Sequence, residues 1–544
     1  MENPAFETPK FDVPHLDFYW QYVDHWSKID PDFPSLRQGD RTVTAGQFKQ
    51  KVDQLAQAFL SLGIKKGDRI VSILPTGIDF VLTLVAAASV GAILVPMDVK
   101  FRTKDLERFI SHAKPSLILS VTGVKDFNTV EKIKRLGDQF AGITKVLVGS
   151  SEFGRSFEEL LKEKFGLEKE LEQRKRSLTV ADGSLIIFTG GTTGVPKAAL
   201  LNNLNTVFMS YIEYGFFRRT LSQVGIDGRI KSLAALPPSH VGGTVELIGM
   251  PLVGGFEIIL MEDWNPYKVL EVTAGQKIPW MGGVPTMYAI LLSLPDLDTF
   301  DLSCVKLAAL GGERVSLELA AGIKEKIAPV IVVGYGSTEA GSAVSYTEPG
   351  DNPEWIDQGY VGKPFSTVMI KVVDDAGNEV SRGELGELII GGPLVIPHYY
   401  NMPEEDEAGF TTDGWCKTGD LGYLAQDGGI YIKGRIKQII RVGSYTVLPT
   451  EVEEEATHYQ NVGLAAAIGV PDKIYGEVIW LYIAPVWGTT VDIDGLMAHL
   501  KENLAAFKVP RKIIIKDDIP ITRIGKSDRT ALKNELMKTL DENG

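Results

Sequence analysis

The stretch Ile187-Phe188-Thr189-Gly190-Gly191-Thr192-Thr193-Gly194-Val195-Pro196-Lys197 decides how the rest of the chain reads. The apolar run 185–188 has the character of a buried strand, and it stops at three glycines, three threonines and a lysine within nine residues. Such a loop is suited to gripping an anion. Glycine lets backbone N–H groups fold inward as a concave nest, threonine hydroxyls add donors, and the lysine adds a mobile positive charge. Phosphate is the expected guest. The Walker loop is excluded by spacing, because it needs Gly-Lys adjacent, whereas Val195 and Pro196 separate Gly194 from Lys197. Taken alone, the same composition would also describe a surface turn.

On the amino-terminal side, a strand at 69–74, a helix at 78–89 and a strand at 93–96 form a strand-helix-strand unit, and apolar runs at 116–121 and 145–148 continue the alternation. Strands alternating with helices imply a parallel sheet covered by helices. The densely charged 157–176 segment reads as one solvated helix. Beyond the loop, strands are expected at 232–236, 256–261 and 278–281, with helices at 243–252 and 266–275. Within 305–341, a strand at 307–310 ends at Gly311-Gly312-Glu313, Ser316 can cap a helix to 327, and a second strand at 330–333 ends at Gly334-Tyr335-Gly336-Ser337-Thr338-Glu339. A crossover of that length makes the two strands parallel, so both glycine loops emerge at the carboxyl edge of one sheet, where ligands of such sheets bind. From 371 the texture changes to short strands such as 369–373 and 385–390. After Gly434-Arg435-Ile436-Lys437 come about a hundred residues of mixed α+β character, with strands at 464–470, 478–484 and 512–516 and a helix at 493–504.

The 544 residues exceed what one hydrophobic core usually supports. With 44% hydrophobic and 23% charged residues, the composition is that of an ordinary globular protein. A net charge of −14 argues against non-specific binding to nucleic acid or anionic membranes. Cys304 and Cys416 are the only cysteines, too few for a disulfide framework and without metal-ligand spacing, and the acidic, proline-punctuated 1–14 segment is unlike a signal peptide. A cytoplasmic, soluble protein is expected. The long apolar run 80–97 is broken by Thr83, Ser89 and Gly91 and reads as a helix followed by a buried strand, not a membrane span.

Read together, TGGTTGVPK (189–197), PPSH (237–240), VPTM (284–287), GGE (311–313), YGSTE (335–339), TGD (418–420), GRIK (434–437) and PITRIGK (520–526) resemble the adenylate-forming superfamily of acyl-CoA synthetases, luciferases and peptide-synthetase adenylation domains. The resemblance covers nearly the whole chain. It implies an α/β fold with a large N-terminal domain at 1–436, made of helix-covered, mostly parallel sheets with a small β-rich subdomain from about 365. A small mobile α+β C-terminal domain, 437–544, would follow, hinged at Lys437 and alternating between two orientations. It also implies two half-reactions: a carboxylate attacks the α-phosphate of ATP with Mg²⁺ to give an acyl-adenylate and pyrophosphate, then a thiol, usually coenzyme A, displaces AMP.

By the same resemblance, Thr189, Gly190, Gly191, Thr192, Thr193, Gly194 and Lys197 hold the β- and γ-phosphates, Glu339 supports Mg²⁺, and Thr338 hydrogen-bonds the α-phosphate. Gly312, Glu313 and Arg314, with Tyr335 and Gly336, form the adenine wall. Asp420 accepts the ribose hydroxyls, and Arg435 reaches the ribose or phosphate unless it pairs with a carboxylate such as Glu451 or Glu453. Lys526 is the expected adenylation catalyst, its ammonium lying between the attacking carboxylate and the α-phosphate. Removing one such preorganised donor typically costs ~10²–10³ in rate. His240 stands where the family often has a gate beside the acyl carboxylate, a structural histidine being the competing reading. The chain departs from the family at Gly190, Ala198, Gln438 and Ser444, and the last two lie in the loop used for thioester formation.

Residues 211–217, 280–288 and 308–311 lie where the family builds its acyl pocket, and their aromatic, small and apolar character favours an apolar acid: aromatic, alicyclic or medium-chain. A stand-alone acyl-CoA synthetase is the leading expectation, with a carboxylic acid, ATP and coenzyme A as partners and a homodimer left open. The sequence ends at Gly544 without a carrier segment, which disfavours an assembly-line module. The alternatives are an enzyme that loads a carrier protein, luciferase-type oxygenation, and a non-catalytic adenylate-binding protein. The joint presence of Lys197, Glu339, Asp420 and Lys526 speaks against the last.

Overall fold

A computed structural model describes residues 8–542 apart from 124–127, 136–139, 141, 150–152, 190–195, 444, 473, 487 and 521–527. The amino-terminal alternation forms a seven-stranded sheet whose strands, in spatial order, are Arg155–Ser156, Thr144–Val148, Leu117–Val121, Arg69–Ile73, Ile93–Pro96, Gly183–Thr189 and Lys197–Asn202. Every pairing is parallel except the last. Central strands buried on both faces read as continuous apolar runs, which is why 69–73 and 93–96 were legible. The helix Ile78–Val90 is buried at every position except Asp79. It is therefore a core helix, and no helix among the described residues is long and apolar enough to cross a membrane.

A second sheet runs Trp280–Gly283, Leu307–Gly311, Val330–Ser337, Ser342–Tyr346 and Lys363–Pro364. Its first three strands are parallel, with Gly311 opposite Gly334, as the two glycine loops require. Ser316 caps the intervening helix Leu317–Lys326 by accepting from the Leu319 N–H. The strand expected to end at 333 continues to Ser337, because it turns to pair antiparallel with Ser342–Tyr346. Gly336 allows that pairing: a Cβ there would stand 2.0 Å from the Ser342 carbonyl oxygen.

Two expectations need correction. The charged 157–176 segment is two helices, Phe157–Leu160 and Glu168–Arg176, parted by a turn in which Gly166 takes φ of 69°, so that both Leu160 and Leu171 reach the core. The helix expected at 243–252 is π-helical over Gly242–Gly249 before it becomes α-helical over Met250–Gly254. Strands 231–234 and 257–260 also gain unforeseen neighbours, because Pro34–Gln38 and Arg41–Thr44 complete their sheet from the far end of the chain.

The β-rich part is an antiparallel sheet of Met369–Val373, Gly386–Gly391, Cys416–Leu424 and Ile430–Arg435. After the short 3₁₀ turn Ile436–Gln438 the chain enters a different sheet, built on the hairpin Val462–Asp472 and Gly476–Pro485 with Ile440–Val442, Tyr445–Val447 and Lys512–Ile515. Two apolar clusters beyond Ile440 contain only residues from this part, so it has cores of its own. The expected α/β class, with mostly parallel sheets followed by an α+β part, is what the chain forms.

Candidate active site

The two ends of the glycine-rich loop are fixed before the loop begins. Thr189 and Lys197 sit directly opposite each other in the antiparallel pair that closes the seven-stranded sheet. The expected phosphate-binding residues Gly190, Gly191, Thr192, Thr193 and Gly194, and the expected catalyst Lys526, lie outside the described residues. The Lys197 ammonium forms an ion pair with Glu405 at 2.9 Å and stands 4.8 Å from the centre of the Tyr399 ring. The Tyr399 hydroxyl donates to Glu339 Oε1 at 2.9 Å. Burial, and then the Glu339 carboxylate, push the Tyr399 phenol far up, so it serves as a donor at any physiological pH. A chain of contacts thus joins the lysine at the exit of the loop to the acid of YGSTE.

Glu339 sits in the 3₁₀ turn Thr338–Ala340, where Ser337 Oγ accepts from the Ala340 N–H and the Ile396 N–H donates to the Glu339 carbonyl. The carboxylate is partly accessible, and Oε2 has no hydrogen-bond partner among the described residues. Thr338 beside it is buried. On the same sheet edge Tyr335 donates its hydroxyl to Asp420 Oδ2 at 2.8 Å, and Arg435 Nε lies 2.6 Å from Asp420 Oδ1. Arg435 therefore pairs with Asp420, its neighbour across the sheet, and not with Glu451 or Glu453. Glu451 pairs with Lys508 and Glu453 with Arg529. Burial, then Asp420, raise the Tyr335 phenol well above its ordinary range, which keeps it protonated as the donor.

Glu313 accepts from Thr286 Oγ1 at 3.1 Å, so GGE and VPTM meet. Arg314, expected at the adenine wall, is engaged from the carboxy-terminal part. Its guanidinium forms a two-pronged ion pair with Glu454 on the helix Pro449–Thr457 of the carboxy-terminal part. Further contacts follow the same seam: Thr450 Oγ1 donates to the Lys433 carbonyl at 2.7 Å, and His458 lies 4.0 Å from Asp357. Arg529, just past the undescribed 521–527, feels the Glu313 carboxylate as well as its partner Glu453. His240 accepts from the Gly242 N–H at Nδ1, at the start of the π-helical turn.

Among the described residues the arrangement sets a lysine ammonium at one end, a partly accessible carboxylate in the middle, and a buried carboxylate beside a tyrosine ring and an arginine at the other. Models of known families match the chain. The AMP-binding enzyme model matches residues 23–400, and that of the AMP-binding enzyme C-terminal domain matches 451–526. The chain belongs to the AMP-binding enzyme family.

Among relatives of this AMP-binding enzyme, a feruloyl-CoA synthase from Amycolatopsis sp. is 28% identical over 512 residues, covering 94% of this chain and 97% of that protein. A long-chain-fatty-acid–CoA ligase from Salmonella typhimurium is 27% identical over 523 residues, covering 90% of each. The crystal structure of the anthranilate CoA ligase AuaEII in complex with anthranoyl-AMP has a similar fold, with a TM-score of 0.84 at 22% identity over 96% of this chain and 98% of that one. Membership of the adenylate-forming superfamily and the assignment as an acid–thiol ligase both hold.

Several residues that shape the site carried no motif. Tyr399 and, on the helix Pro403–Gly409 just after it, Glu405 hold Glu339 and Lys197 from sixty residues or more away in sequence, and Glu454 engages Arg314 from 140 residues away. Glu213 lies within an aromatic run and Glu246 within an apolar one, neither of them in a motif. An isolated carboxylate in an apolar stretch is the one signal that would have found them.

Proposed function

We propose that the chain is an ATP-dependent acyl-CoA synthetase that activates a carboxylic acid as its acyl-adenylate and transfers the acyl group to coenzyme A. The observation that carries this reading is the meeting of Thr189 and Lys197, Thr338 and Glu339, and Tyr335, Asp420 and Arg435 where three sheets come together. In the first step an acid oxygen bonds to the α-phosphorus as the bond from that phosphorus to the bridging oxygen breaks, and pyrophosphate leaves. In the second the thiol sulfur bonds to the acyl carbon as the acyl–oxygen bond breaks, and AMP leaves.

Phosphoryl transfer asks the protein mainly for positioning and for charge opposite the phosphoryl oxygens. Lys197 and the nest at 190–194 would orient the leaving pyrophosphate, Thr338 the α-phosphate, and Asp420 the ribose. Glu339 fits a magnesium ion, which prefers oxygen ligands and takes few from protein where phosphates supply the others. Its carboxylate is held through one oxygen and has the other unengaged among the described residues. When bound, the ion would neutralise charge on the phosphates. Gly312, Glu313 and Tyr335 would flank adenine, and His240 would stand by the acid.

We further propose a division at 436/437 with Lys437 as hinge, supported by the change of sheet across Ile436–Gln438 and by the separate cores on its far side. A cytoplasmic location accords with two free cysteines. Lys526 is assigned the adenylation step: Lys526→Ala should abolish acid-dependent ATP–pyrophosphate exchange while still converting a supplied acyl-adenylate to thioester. Pyrophosphate release over a panel of acids, with and without coenzyme A, tests the whole reading. AMP and acyl-CoA formed in equal amounts support it. Silence with every acid would overturn it.

A further inference from the structure

The region expected to be an apolar acyl pocket contains two carboxyl groups. Glu213, on the helix Met209–Gln223, is completely buried. Its Oε1 accepts from the Tyr346 hydroxyl at 3.3 Å, and its Oε2 is buried with no hydrogen-bond partner. Glu246 lies on the neighbouring π-helical turn, which packs alongside through the hydrogen bond from Ser210 Oγ to the Val245 carbonyl. Its Oε1 accepts from Ser342 Oγ at 2.5 Å. The two carboxyls lie close enough to repel, and burial together with that repulsion pushes Glu213 well above the ordinary carboxylate range. Burial alone raises Glu246, and the Ser342 hydrogen bond opposes it.

The surroundings are otherwise apolar. Tyr346 stacks on Phe216 at 4.9 Å between ring centres and meets Phe217 edge-on, and Phe217 leans against Trp280. Nothing cationic pairs with either carboxyl among the described residues, so the pair is not a structural salt bridge. Buried acceptors without donors are costly and are retained in folded proteins for a reason.

Glu246 is the more accessible of the two carboxyls. It sits deep in the large sheet region yet keeps accessible surface. A Cβ added to Gly242 would stand 3.5 Å from His240 Nδ1 and 3.6 Å from Glu246 Oε2, which places that oxygen on the His240 side of the turn. The next residue, Leu247, closes on Gly282, which with Ala235, Gly283 and Met287 lines a hollow at the strand ends. The π-helical winding is the device that turns Glu246 this way. One extra residue per turn re-aims a side chain, and such turns recur at functional sites. Gly243 makes room for it, since a Cβ there would stand 2.2 Å from the Pro237 carbonyl oxygen.

We infer that Glu246, backed by Glu213, selects a carboxylic acid that carries a hydrogen-bond donor, a hydroxyl or an amino group, on the part of the molecule remote from its reacting carboxylate. This rests on the synthetase reading above and narrows its substrate class. The donor completes the hydrogen bonding of Glu246 Oε2, and the hollow lined by Ala235, Gly282, Gly283 and Met287 offers room for the carbon skeleton. A site built to bind a donor discriminates against the analogue that lacks it far more strongly than an apolar slot discriminates between alkyl groups.

The test is acid-dependent pyrophosphate release with acids of one aromatic skeleton whose distal substituent is hydrogen, methyl, hydroxymethyl or aminomethyl. The native enzyme should show kcat/KM at least ~10-fold higher for a donor-bearing member than for the methyl or unsubstituted one. The neutral hydroxymethyl and cationic aminomethyl arms read whether the pair acts as neutral acceptor or as anion. Glu246→Leu should erase the preference and improve the methyl member, and Glu246→Gln, nearly isosteric, should narrow it if the leucine variant does not fold. Equal or better use of the methyl and unsubstituted acids by the native enzyme, or an unchanged ranking in the folded variants, overturns the inference and leaves the synthetase reading standing. Silence with all four acids and with the broader panel overturns both.

Discussion

The two-pronged pair of Arg314 with Glu454 holds the carboxy-terminal part against the adenine-side loop, and breaking it should change which half-reaction runs well. Both side chains are about a quarter exposed, at 26% and 27%. A bidentate pair is at the strong end of surface ion pairs, which contribute up to about 1 kcal/mol. The neighbouring contact of Thr450 with the Lys433 carbonyl survives the change. A loss of about 1 kcal/mol corresponds to a roughly 5-fold shift in the balance between this arrangement and any other. Because the pair ties the carboxy-terminal part to the adenine-side loop, we assign this arrangement to adenylation. Glu454→Ala should therefore slow ATP–pyrophosphate exchange roughly 5-fold while leaving thioester formation from supplied acyl-adenylate unchanged or faster. Arg314 sits beside the nucleotide wall, so the charge-reversed double variant Arg314→Glu/Glu454→Arg provides the control and should restore much of the exchange lost by either reversal alone. Equal slowing of both half-reactions, or no coupling between the two positions, would refute the reasoning.

Asp420→Asn places an amide against Arg435 and removes the charged acceptor of Tyr335. Hydrogen bonds to charged groups contribute about 1.5–3 kcal/mol, so kcat/KM for ATP should fall by ~10–100-fold, and the melting temperature should fall too because buried Asp420 also holds Tyr335 and Arg435; a wild-type kcat/KM would remove Asp420 from the nucleotide site. Gly336→Ala forces a Cβ to within 2.0 Å of the Ser342 carbonyl oxygen and should destabilise the protein by ~1–3 kcal/mol through backbone displacement, read as a lowered melting temperature. Glu213 has its carboxyl raised by burial and then by Glu246. Its stabilising share is full below the unfolded-state value of about 4.3 and drains away as pH climbs toward the raised native one. The melting-temperature advantage of Glu213→Gln over the native protein should accordingly widen between about pH 4 and about pH 8, and a constant difference would contradict the assignment.

Legibility in the sequence followed locality. The strands at 69–73 and 93–96 and the pair at 307–311 and 330–337 announce themselves because each is a short apolar run bounded by glycine or proline. The crossover between the last two also fixes that GGE and YGSTE share one edge. Nothing local could pair Pro34–Gln38 with a strand at 257–260, since the partner lies more than two hundred residues away and parallel pairing leaves no turn to read. The break in 157–176 was hidden for a different reason: its charges mask the few buried leucines that set two helix directions. Arg314 sits in a motif, yet its partner Glu454 is chosen by how the carboxy-terminal part docks. Glu213 and Glu246 were submerged in apolar stretches, and they meet only because two helices cross and one of them is wound as a π-helix.

The central claim is that an acid oxygen attacks the α-phosphorus of ATP. Supplying an accepted acid labelled with ¹⁸O in both carboxylate oxygens, with ATP and coenzyme A, and weighing the products tests it directly. The account predicts AMP carrying one ¹⁸O and unlabelled pyrophosphate. Label in inorganic phosphate with ADP as the nucleotide product would mean attack at the γ-phosphorus, and would contradict it.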